Sequence, residues 1–90
     1  MSEQKSLRQI ELSDFDKRAE YFARVRALIM KILVARKGLT VEEISREFML
    51  RYGFLPRIDN RLRELRSIGW VESRKEEDGL LHWYPTEGET

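Results

Sequence analysis

Between residues 57 and 67 the chain carries Arg57, Asn60, Arg61, Arg63, Arg66 and Ser67, interleaved with Ile58, Leu62 and Leu65. On a helix that advances about 100° per residue, Ile58, Leu62, Leu65 and Ile68 share one side. Arg63 and Ser67 point the opposite way with Asn60 close beside them, and Arg57 and Arg66 mark the two edges. Arg61 falls nearer the apolar border, where a long cationic side chain has to snorkel to reach water. Arginine can pair with guanine and asparagine with adenine, each through two hydrogen bonds in the major groove. Arginines at the edges suit phosphates, which set register rather than sequence. Asn60, Arg63 and Ser67 are therefore candidate base readers, and Arg57, Arg61 and Arg66 candidate backbone contacts. The competing expectation is a plain solvated face, because Asp59 with Arg63 and Asn60 with Glu64 stand four apart and can lace a helix surface.

Other chemistries find little material. The sequence has no cysteine and a single histidine, His82, which excludes a Cys/His zinc cluster and thiolate catalysis. Its six serines stand in no recognisable serine–histidine–acid arrangement, and its five glycines are scattered rather than gathered into a phosphate-cradling loop. An enzyme is not expected, and neither a cofactor, a metal nor a small-molecule ligand is implied. The longest apolar run, 27–35, is broken by Lys31 and is far shorter than the ~18 residues of a membrane span. With no basic-then-apolar leader at the N-terminus, a cytoplasmic location is expected.

Ninety residues suit one domain with a modest core. The net charge of +1 hides a segregated distribution. Residues 17–37 hold seven basic groups against Glu20, and residues 51–66 five arginines against Asp59 and Glu64. Residues 76–90 hold five acids and no lysine or arginine. A chain so divided can present a basic face while staying near neutral overall.

The elements that must position these residues follow from periodicity and punctuation. Residues 1–12 read as a flexible polar arm. Ser13, with Asp16 three residues on, is expected to cap a first helix over about 13–37. Phe15, Ala19, Phe22, Val25, Ile29, Ile32 and Leu33 recur in it at helical spacing, and Gly38 stops it. Its last two turns are apolar around most of the circumference, which requires either a central place in the fold or cover from another chain. Phe22, Ile29 and Leu33 are on that account the expected interface of a homodimer. Thr40 and Glu43 form a capping box, with Leu39 and Ile44 as its staple, for a second helix over about 40–52 ended by Gly53. Pro56 suits the first turn of a third helix over about 56–68, ended by Gly69. The period then changes: Trp70–Lys75 and Leu80–Tyr84 flank an Asp78-Gly79 turn and predict a β-hairpin over 70–84, closed by Pro85. An acidic tail occupies 86–90.

The fold class expected is mainly α with a small β-hairpin. From Gly38 to Tyr84 the sequence resembles a winged helix-turn-helix domain. The likeness lies in GLTVEEISREF, then RIDNRLRELRSIGWV with its leucine-spaced helix running into Gly69-Trp70-Val71, then a charged hairpin returning through LHWY. It covers about half the chain. Most members of that family are DNA-binding regulators, and others dock on proteins or bind RNA. The resemblance implies three helices plus a wing, with helix 57–68 in the major groove of double-stranded DNA. It further implies that Arg74 and Lys75 of the wing can touch the backbone. The expected function is a small transcriptional regulator. The alternative is a winged-helix module for protein–protein interaction in a larger replication, transcription or viral assembly, favoured by the acids Glu76, Glu77 and Asp78 at the wing tip.

Overall fold

A computed structural model describes the backbone of residues 2–86 and the side chains of residues 16–86. The acidic tail expected at the C-terminus, with Glu87 and Glu89, lies outside the described residues, as do the side chains of Leu7, Ile10, Leu12 and Phe15.

Helix α1 spans Ser2–Ala35. The arm expected over 1–12 is helical backbone from Ser2 onward instead, and Ser13 lies inside the helix rather than capping it. The reason is propagation: once a helix is nucleated, each further residue gains a hydrogen bond, and residues 2–12 contain neither proline nor glycine to stop it. At about 1.5 Å per residue α1 is roughly 51 Å long, which accounts for molecular extents of 62 × 30 × 22 Å.

Helix α2 spans Val41–Tyr52 and realises its predicted cap in full. The Glu43 amide donates to Thr40 Oγ1 at 3.2 Å, and the Thr40 amide donates to Glu43 Oε1 at 3.0 Å. Gly53 ends it at φ +80°, donating its amide to the Met49 carbonyl. Helix α3, Ile58–Ser67, begins later than expected. Arg57 is the N-cap residue, in extended backbone, so Pro56 stays outside the helix in the connecting turn. Strands β1 (Val71–Lys75) and β2 (Leu81–Pro85) form an antiparallel pair in which Ser73 faces Trp83 and Lys75 faces Leu81. Pro85 is the last residue of β2, paired with Val71, where it had been expected to follow the strand.

One core joins these elements. α1 contributes Val25, Ile29, Ile32 and Leu33, α2 Ile44 and Phe48, α3 Ile58, Leu62 and Leu65, and the hairpin Val71 and Trp83. Trp83 also bridges to Leu39, donating its amide to the Leu39 carbonyl at 2.8 Å and accepting from the Gly38 amide at 2.8 Å. The hairpin is thereby stitched to the chain just ahead of α2. Ile29 and Leu33 are completely buried in this core. They are not available to a second subunit, which corrects their assignment to a dimer interface: the apolar last turns of α1 are central to the fold. Three helices followed by a two-stranded antiparallel hairpin make an arrangement compatible with winged-helix topology. Among the described residues, no helix is long and apolar enough to cross a membrane.

Candidate nucleic-acid interface

Helix α3 is positioned by burial of Ile58, Leu62 and Leu65, and its outer side follows from that. Arg57, Arg63 and Ser67 are exposed, and Asn60 is half-buried. Ser67 donates its hydroxyl to the Glu64 carbonyl one turn back, at 3.2 Å. Arg63 lies 3.6 Å from Asp59, a loose surface pair in which the arginine side chain keeps 65% of its accessibility. Exposed pairs of this kind contribute little. Its guanidinium is thus free to exchange Asp59 for another acceptor.

Arg61 departs from its expected role. It is only 8% exposed, so it does not snorkel to water and cannot reach a phosphate. Its guanidinium lies 3.9 Å over the Phe22 ring of α1 and donates from Nη2 to Glu64 Oε2 at 2.7 Å. Arg26 of α1 donates to the other oxygen of Glu64 at 2.8 Å. Burial alone would raise the Glu64 carboxyl, but the hydrogen bonds from Arg61 and Arg26 outweigh it and hold the group below the usual carboxylate range. Arg61 Nε is buried with no partner among the described residues. The covered arc of α3 is therefore turned toward Arg61, because α1 packs on that flank. For the same reason Ile68, expected inside, is 56% exposed: it stands at the C-cap, beyond the turn that α1 and the hairpin cover. Glu64 is engaged with the two arginines, so the Asn60–Glu64 pairing drawn from spacing gives way to an Arg61–Glu64 pair at three residues' separation.

The wing divides by face. Alternation puts Val71, Ser73 and Lys75 on one side of β1 and Glu72 and Arg74 on the other. The first side meets α3: Arg66 donates from Nη1 to Ser73 Oγ at 3.0 Å and its guanidinium lies 5.3 Å from the Trp83 ring. Lys75 is exposed on that same side, toward the tip. Arg74 is on the far side, bonded to Glu72 at 3.0 Å and stacked 4.3 Å over Tyr84, so it does not join the α3 cluster. Arg57, Arg63, Arg66 and Ser67 thus stand exposed along α3 with half-buried Asn60, and Lys75 lies on the side of β1 that Arg66 touches, whereas Arg61 and Arg74 are engaged elsewhere.

Two of the acids at the wing tip, Glu76 and Asp78, are held internally. The Tyr84 hydroxyl donates to Glu76 at 2.5 Å, a bond that raises the phenol's pKa. Asp78 accepts from the Leu80 amide at 3.0 Å and bonds His82 Nε2 at 2.8 Å, while His82 Nδ1 faces the Gly38 carbonyl at 2.7 Å. These contacts link the tip to the chain ahead of α2. The sequence held one signal for them, the i,i+4 spacing of Asp78 and His82; the Gly38 contact spans the whole fold and left none.

No protein-family model matches the chain, and no curated protein does. The likeness to winged helices therefore rests on the order and packing of the elements.

Proposed function

We propose that this chain is a sequence-specific double-stranded DNA-binding protein, a small transcriptional regulator that lays α3 in the major groove. The observation that carries the proposal is the outer side of α3. Arg63 and Ser67 stand exposed with Asn60 beside them, next to an exposed Arg57 at the helix start. Arg63 and Asn60 would read bases with support from Ser67, and Arg57, Arg66 and Lys75 would hold phosphates. A homodimer belongs to the proposal only without Ile29 and Leu33, which are consumed by the chain's own core.

Salt titration of binding to a duplex selected from a random pool tests the proposal. Several phosphate contacts should lower log affinity by roughly 0.9 per contact for each log unit of salt. Flat, weak binding to every duplex would sink it and leave the protein-docking alternative, which has exposed Tyr21, Phe54 and Leu55 in its favour.

A further inference from the structure

The flank of α1 away from the core carries a feature that duplex binding through α3 does not use. Lys17, Arg24 and Lys31 recur every seven residues, so they lie in one row along the helix, about 10.5 Å apart and spanning about 21 Å. All three are exposed, and none makes a salt bridge among the described residues. Glu20 adds one negative charge beside them. Between Lys17 and Arg24, Tyr21 is 43% exposed and its ring lies 6.3 Å from that of Phe54, itself 38% exposed and followed by Leu55 at 54%. Lys17 and Arg24 line a shallow depression with Glu20 and Tyr21.

We propose that this flank, Lys17, Arg24 and Lys31 with Tyr21 and the Phe54-Leu55 corner, docks an acidic amphipathic helix of a partner protein. The row's repeat matches carboxylates placed every second turn of a facing helix. Between them, an apolar anchor would cover Tyr21 and Phe54, in the manner of helix-on-groove recognition. Aromatic and arginine side chains together are the usual energetic centre of such a surface. A second copy of this chain is a poor occupant, because pairing the same flank would set cation against cation. Unpaired bases fit less well too. The Tyr21 and Phe54 rings are tilted by 39°, and Phe54 stands edge-on at 90° to the buried Phe48, so the two do not form an open parallel stack.

The test uses the full chain and a fluorescent helix-forming peptide of about 21 residues, with glutamate every seventh position and leucines between. Binding should weaken at least tenfold in the double variant Lys17→Glu, Arg24→Glu, and return when that variant meets a peptide with lysine in place of glutamate. Tyr21→Ala should weaken it as well, while Arg63→Ala, which targets α3, should leave it unchanged. The proposal is overturned if the wild-type chain does not bind the peptide or if the charge-swapped pair does not recover. Equal binding of poly-glutamate with no effect of Tyr21→Ala, or preferential binding of an oligothymidylate, overturns it too. Because α3 is untouched by the variants on α1, a failure here and a failure of duplex binding are separately visible.

Discussion

The guanidinium of Arg61 lies 3.9 Å over the ring of Phe22, thirty-nine residues earlier in the chain (61 − 22). Through Glu64 it also meets Arg26, so one arginine of α3 fastens that helix to α1 while its neighbour Arg63 faces outward. Two arginines separated by a single leucine therefore have opposite duties.

Their substitutions should diverge accordingly. Arg61→Ala removes a charge-assisted hydrogen bond and a ring contact from a nearly buried site, and is expected to cost about 2 kcal/mol of stability. Arg63→Ala should stay within about 0.5 kcal/mol of the wild type. Urea unfolding of the two variants measures this, and equal costs would mean that the α1–α3 contact is not what holds Arg61.

On a selected duplex, Arg63→Ala or Asn60→Ala is expected to cost about 1–3 kcal/mol and to relax base preference at one position. Arg57→Ala should weaken all sequences alike and reduce the salt slope by about one. Arg61→Ala should leave the affinity of the folded fraction nearly unchanged. Competition binding across a set of single-base variants distinguishes these outcomes. Uniform losses from Arg63, Asn60 and Arg57 would show that α3 reads no bases.

His82 predicts a pH dependence. Both of its ring nitrogens face acceptors, the Gly38 carbonyl and the Asp78 carboxylate. A neutral ring has one N–H and can serve only one of them, whereas the imidazolium serves both. The Gly38 carbonyl first, then Asp78, raise the His82 pKa above its ordinary 6.5, with Glu76 nearby adding to the effect. Since the folded-state value is the higher one, this contribution is fully present below pH 6.5 and is lost as pH rises through the folded-state value. The wild type should therefore lose stability relative to His82→Gln as pH rises above 6.5 in urea unfolding. Parallel curves for the two proteins would refute the bridge.

Gly38 and Gly53 offer an internal comparison, since both have φ near +80°. An added Cβ at Gly38 would come within 3.1 Å of the Tyr84 ring, whereas at Gly53 nothing lies within 4 Å. Gly53→Ala carries only the backbone strain, about 1 kcal/mol. Gly38→Ala should cost clearly more and should disturb the near-ultraviolet signal of the wing. Similar melting temperatures for the two variants would contradict the close Tyr84 contact.

What the sequence revealed was local. Thr40 and Glu43 announce the start of α2 because each satisfies the other's backbone within one turn. The Asp78-Gly79 turn likewise announces the hairpin. The outward stripe of Arg63 and Ser67 follows from the spacing of Ile58, Leu62 and Leu65. Spacing alone does not place Arg61, because the width of the covered arc depends on where α1 lies, and that is decided by residues some forty positions away. Ile68 differs for the converse reason: its spacing continues the apolar row past the point where any neighbour remains to cover it. Ile29 and Leu33 have the same apolar signature whether the cover comes from α2 and α3 or from another subunit. The beginning of α1 is not legible at Ser13, which is a good cap only where the preceding chain is not itself helical.

The length of α1 carries a practical consequence for hydrodynamics. With extents of 62 × 30 × 22 Å and a Cα radius of gyration of 16.7 Å, the molecule is rod-like for its 10.8 kDa. A single copy will elute from a sizing column ahead of a spherical standard of equal mass and imitate a pair. Sedimentation equilibrium, which weighs particles irrespective of their outline, is the measurement that counts subunits.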